Sequence, residues 1–127
     1  MSNTTHHQDT PMKLNIIIDG YARTATLNHS QASKDFVALL PLTLTLQDYA
    51  ATEKISVLPS RLTVSDSPAG TAARKGDITF YAPWGNLALF YQDHGYASGL
   101  VKLGQFDEPG AVPSQQKSCT ARFELAQ

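Results

Sequence analysis

GDITFYAPWGNLALFYQDHGYASGLVKLG, residues Gly76–Gly104, concentrates the chain's aromatic side chains and turn formers. It holds the only Trp, three of the five Tyr, two of the five Phe and five of the eight Gly. Two apolar runs of strand length, Ile78–Tyr81 and Leu87–Tyr91, flank Ala82–Pro83–Trp84–Gly85–Asn86. Pro83 lacks an N–H for a sheet ladder, Gly85 reaches backbone conformations closed to other residues, and Asn86 tolerates turn geometry. The spacing therefore predicts strand, corner, strand. Gln92–Gly95 reads as a turn, and Gly99–Leu103 as a further strand.

Working outward towards the N-terminus, Thr71–Lys75 leads into this segment from a turn cluster, Asp66–Gly70. Before it, Ile55–Leu58 is a short strand stopped by Pro59, and Arg61–Val64 extends it. Leu42–Leu46, LTLTL, alternates strictly and presents Leu to a core; Asp48–Tyr49 ends it, and Ala50–Lys54 is a connection. Asn28–Leu40 changes period: Ala32, Phe36, Leu39 and Leu40 recur at helical spacing, Asn28 or Ser30 can cap the start, Asn28 with Gln31 fits a capping box, and Pro41 stops the helix. Met12–Asp19 and Tyr21–Leu27 meet at Asp19–Gly20, a two-residue turn that selects a hairpin. Towards the C-terminus, Gly104–Pro113 is a loop and Ser118–Leu125 a closing strand. Met1–Pro11 is expected to be a disordered leader preceding one domain, residues 12–127. The expected architecture is mainly β: a closed barrel, which removes the edges that LTLTL and LALFY would otherwise expose, with one main α-helix capping an open end.

Composition narrows the function classes. Of 127 residues, 42% are apolar and 17% charged, as in an ordinary globule. Ten Lys+Arg against eleven Asp+Glu leave no basic patch, which argues against a nucleic-acid partner. No run suits a membrane span, the polar start lacks the apolar core of a signal peptide, and one Cys, Cys119, cannot form an internal disulfide. A cytoplasmic location and no membrane partner are the expectations. His6–His7 on the leader falls short of a metal set, and no cofactor or metal is expected.

The pieces YAPWGNLALFY and GYASGLVKLG resemble the signature of the bacterial cyclophilin-like proteins. SKDFVALLP is similar to the family's helix end, and LQDYAATEKISVLPSRL to the segment that follows. The resemblance runs from Met12 to Phe123. It implies a closed cyclophilin-type barrel of about eight strands, with helical structure across its open ends. It does not imply prolyl isomerase activity. Enzymatic cyclophilins carry Phe-His-Arg and Phe-Met-Gln-Gly-Gly-Asp segments, and neither occurs here.

Prolyl isomerisation requires an apolar slot and a cation or donor that binds the twisted amide better than the planar one, against a barrier of about 18–20 kcal/mol. Arg74, just before the aromatic segment, is the candidate cation, weighed against a solvated loop charge. Tyr81, Trp84, Asn86, Tyr91 and Tyr96 are the candidate ligand-binding residues, since an aromatic body with a polar tip suits a cleft. Trp84 also suits packing under the barrel rim. Asp93–His94 reads as a solvated turn, because neighbours on an extended chain point apart. Asp48 with Glu53–Lys54 reads as ion pairing rather than paired-carboxylate catalysis. The function expected is a domain that binds a peptide or small ligand without strong catalysis. The alternatives are a prolyl isomerase with a non-standard site and a small-molecule enzyme using the barrel as scaffold.

Overall fold

The computed structural model describes residues 12–126, so the expected leader lies outside the described residues. The strands are β1 (Met12–Ile18), β2 (Tyr21–Leu27), β3 (Leu42–Tyr49), β4 (Glu53–Val57), β5 (Gly70–Ala73), β6 (Asp77–Tyr81), β7 (Asn86–Phe90), β8 (His94–Ser98), β9 (Leu100–Phe106) and β10 (Cys119–Leu125). One α-helix, α1 (Gln31–Val37), and a 3₁₀ turn at Pro109–Ala111 complete the regular structure of the described residues. Eight strands close a barrel in the order β1-β10-β3-β4-β7-β6-β9-β2. All its pairings are antiparallel. The mainly-β closed barrel with a capping helix expected from the sequence is therefore the fold. Among the described residues no helix is long and apolar enough to cross a membrane.

Alternation along each strand fills the barrel. Leu14, Ile16 and Ile18 of β1, Leu44 and Leu46 of β3, Ile78 and Phe80 of β6, Leu87 and Leu89 of β7, and Phe123 of β10 share one core cluster. Asp19 and Gly20 turn β1 into β2 at φ values of 48° and 89°, both positive as a two-residue hairpin requires. Gly104 stands where β9 lies between β2 and β6, paired with Leu27 and Ile78. A Cβ there would overlap the Thr26 carbonyl oxygen and come within 2.7 Å of Leu27 Cα, so only glycine lets the strands close.

The two barrel ends are closed differently. At one end α1 buries Ala32, Ser33 and Phe36, and the Phe36 ring meets Phe123 edge to face at 5.6 Å. The helix is shorter than the expected Asn28–Leu40. Ser30 caps it, its side chain accepting from the Ser33 N–H. Asn28 Oδ1 instead accepts from the Ser30 N–H and from both serine hydroxyls. The chain after β4 does not extend that strand; it crosses this end, burying Leu58 and Leu62. It is tied to the helix through Asp35 with the Thr63 N–H and Asp66 with the Gln31 N–H.

At the other end the loop after β9 brings Val112 into the core. Lys54, fully buried, holds this loop by donating to the Lys117 carbonyl at 2.8 Å and to that of Gln115. Lys54 Nζ also lies 3.3 Å from Asp48 Oδ1, which accepts a 2.6 Å hydrogen bond from the Tyr91 hydroxyl. A buried cation is tolerated because its donors are engaged by these acceptors.

Two segments that read as connections are strands. Thr71–Lys75 contributes to β5 and Gln92–Gly95 to β8, which pair in a separate two-stranded sheet. Ala73 and Ala97 of this sheet pack on Ala88, Phe90, Leu100 and Ile55, which point away from the barrel interior. That explains why Asn86–Phe90 is buried at every position: β7 is covered on both faces.

Candidate functional site

Beside this small sheet the outer face of the barrel carries a cleft of about 180 Å³. Its apolar surfaces come from Phe90, Leu100 and Ala97, and its aromatic wall from Tyr49, Tyr81 and Trp84. Glu53, Asn86 and His94 supply the polar groups. A second hollow along β3 and β4, lined by Thr45, Gln47, Ile55, Ser56 and Val57, shares Trp84 and Asn86 with the first.

The corner that presents Trp84 is built by Ala82–Gly85. The Gly85 N–H donates to the Tyr81 carbonyl at 2.9 Å, and Gly85 has φ +69°. Pro83 stacks on Gly99, where a Cβ would come within 2.7 Å of the proline ring. Arg61 grips the corner from another side, Nη1 donating to the Ala82 carbonyl at 2.6 Å. Held this way, Trp84 stays 52% exposed, an unusual position for a large aromatic. The Trp84 ring stands nearly perpendicular to Tyr81 at 5.3 Å and to Tyr49 at 5.6 Å between centroids. Edge-to-face contacts of this kind stabilise aromatic pairs by about 0.5–1.5 kcal/mol and fix their orientation.

Tyr49 and Glu53 face each other across the β3–β4 hairpin. The turn between them puts Ala50 and Ala51 at φ 55° and 52°, a left-handed conformation that alanine adopts at a cost. Burial pushes the Glu53 carboxyl up from its ordinary value, opposed by the charge of His94. Among the described residues no donor hydrogen-bonds this carboxylate. His94 Nδ1 lies 2.7 Å from the Gly95 carbonyl, which leaves Nε2 free of that contact. Asn86 is 2% exposed; its Nδ2 donates to the Leu87 carbonyl while Oδ1 has no partner. A buried, unpartnered amide oxygen costs about 1–3 kcal/mol, so its place beside a cleft is informative.

Of the residues singled out in the sequence, the structure brings Tyr81, Trp84 and Asn86 together in the cleft. It places Tyr91 at the barrel end beside Asp48 and Lys54, 4% exposed. There burial, with the Asp48 hydrogen bond, pushes the phenol up to about 12. Burial raises the Asp48 carboxyl, but hydrogen bonds from Tyr91, Lys54 and the Ala51 N–H outweigh it and hold the group below its ordinary value. Tyr96 covers Gly70 outside the cleft, 66% exposed. Arg74 donates its backbone N–H to Asp77 and does not line the cleft. Asp93 and His94 diverge: Asp93 accepts the Lys75 N–H at 2.8 Å, and His94 enters the cleft. Among the described residues no group of three or more His, Cys, Asp or Glu is placed to hold a metal ion. Cys119 is buried, and burial pushes its thiol up.

Tyr49, Glu53 and His94 also line the cleft without a clear mark in the sequence pattern. A signal for Glu53 was present. If Lys54 faces the interior, strand alternation puts Glu53 and Ile55 on the outer face. The apolar pattern marks the strand only from Ile55, two residues inside its start at Glu53.

Comparison with known proteins bears on the fold. The chain resembles the solution structure of the hypothetical protein AF2241 from Archaeoglobus fulgidus, with a TM-score of 0.61 over 91% of this chain and 95% of that one. The identity is 15%, so this likeness concerns the fold alone. No curated protein matches the sequence. A model of the cyclophilin-like family matches residues 16–124, from β1 to β10 and including every residue of the cleft, and the chain accordingly belongs to the cyclophilin-like family.

Proposed function

We propose that this domain binds a peptide or small ligand in the outer-face cleft, without strong catalysis. The carrying observation is that one cleft is lined by an exposed Trp84 and by buried Asn86, whose Oδ1 is unpartnered. An indole edge and an orphan acceptor are what a ligand with an apolar body and one donor would use. The shared wall between the two hollows suits a short extended peptide, one side chain on each side of Trp84. Isomerisation would need a cation against the twisted amide. Arg61 is engaged with the Ala82 carbonyl, and Arg74 lies off the cleft wall, so binding is the better-supported reading.

Trp84 is the only tryptophan, which makes its fluorescence a site-specific probe. Titration with Xaa-Pro tetrapeptides and a small-molecule fragment set is expected to give a saturable change in emission for at least one compound. A protease-coupled assay on the same peptides is expected to show no acceleration. Isomerisation abolished by Arg74→Ala would replace this reading with the isomerase one.

A further inference from the structure

We propose that the cleft recognises an organic cation, specifically an alkylated ammonium group, seated between the Tyr49, Tyr81 and Trp84 rings and the Glu53 carboxylate. This rests on the reading of the cleft as a ligand site. Two tyrosine rings, Tyr49 and Tyr81, are set nearly at right angles to the Trp84 indole, with interplanar angles of 83° and 85°. Their quadrupoles offer negative faces to a cation, worth about 0.5–2 kcal/mol per favourable contact and most when water is excluded.

The polar complement of the cleft has the matching sign and a limited number of acceptors. Glu53 supplies the carboxylate, unbonded among the described residues, and Asn86 the orphan carbonyl-type oxygen. Burial disfavours the charged form of Glu53, so a bound cation would restore what desolvation takes away. A guanidinium brings five N–H donors and a bare ammonium three, each needing an acceptor in a desolvated site. Three rings and so few acceptors suit a cation that presents mostly methyl groups. Arg61 engages the Ala82 carbonyl and does not line the cleft, so no guanidinium of the protein occupies the space. His94, carried by β8, is the one basic side chain on the lining, so a cation seated there would have no lysine or arginine beside it. At about 180 Å³ the cleft is smaller than the 300–1,000 Å³ typical of drug-sized ligands, which fits a headgroup or side-chain terminus.

The test follows Trp84 emission on titration with choline chloride and with dimethylbutanol, its neutral isostere with a quaternary carbon in place of nitrogen, at matched ionic strength. Choline is expected to saturate and to bind at least about tenfold tighter than the neutral compound. Glu53→Gln is expected to close most of that gap, with its melting temperature reporting that it is folded. A second arm compares a peptide carrying trimethyllysine with its unmodified lysine counterpart, which separates a peptide-borne cation from a free small molecule. Equal affinity for the two isosteres, or tighter binding of the neutral one, overturns the cation assignment and leaves the cleft as a ligand site. No response to either isostere, while the peptides or fragments of the earlier titration do perturb Trp84, also overturns the cation alone. Silence of Trp84 to all of them overturns both readings.

Discussion

At the scale of single residues, the clearest distinction is between polar groups that complete the barrel and polar groups left open. Lys54, Asp48 and Tyr91 satisfy one another and the carbonyls of the closing loop. Glu53 and Asn86, on the outer face, have unused acceptor capacity. Adjacent residues Glu53 and Lys54 thus belong to different systems, because strand alternation sends one out and the other in. Tyr91→Phe tests the internal system. Losing a hydrogen bond to an ionised carboxylate is expected to cost about 1.5–3 kcal/mol at neutral pH in denaturant unfolding. The pH dependence has a definite sign. The Tyr91 phenol is raised from 10.0 to about 12 in the fold, so its protonated form stabilises the folded state fully below pH 10.0. That stabilisation is lost as pH rises towards about 12. The advantage of the wild type over Tyr91→Phe should therefore shrink across that alkaline window, and an advantage that stays constant would contradict the assignment. Sequence made Tyr81, Trp84 and Asn86 legible because Pro83 and Gly85 mark a corner. Tyr91 was indistinguishable from them, since an aromatic at a strand end gives no indication of which face it takes.

At the scale of elements, local signals and long-range pairings differ in how well they show. The Asp19–Gly20 hairpin and the LTLTL strand follow from turn chemistry and alternation. β5 and β8 do not, because GTAA and HGYAS lack the β-branched, alternating pattern and are held by their mutual pairing and by packing on Phe90 and Leu100. Pro41 bounds the helix but does not mark its end, which falls at Val37, and the start is not legible either, since Asn28, Ser30 and Ser33 share one hydrogen-bonded network and only geometry selects the cap. Barrel closure depends on Gly104, which no short-range pattern distinguishes from a turn glycine. Gly104→Ala is expected to push β2 away from β9 and to destabilise the fold by more than about 2 kcal/mol. Gly110→Ala, with nothing within 4 Å of the added carbon, should be nearly neutral. Thermal unfolding of the pair checks the contrast, and equal melting points would refute it.

At the scale of the whole molecule, the interior is occupied by packed side chains and closed at both ends, by α1 with Leu58 and Leu62 at one and by the Val112 loop at the other. The proposed binding site therefore lies on the outside, where the β5–β8 sheet raises a wall beside the barrel and the 82–85 corner carries Trp84. The sequence could indicate the closed barrel, through strand spacing and family resemblance. It could not indicate the wall, because β5 and β8 acquire their roles only once the barrel has brought residues 70–73 and 94–98 together. The most direct test is a map of amide chemical-shift changes on saturation with whichever compound binds best. The shifts should gather at Tyr49, Glu53, Trp84, Asn86, His94 and Ala97, with the Trp84 indole N–H among the largest. Shifts centred instead on Lys54, Tyr91 and the Gln115–Lys117 loop would place binding at the barrel end and contradict the outer-face site.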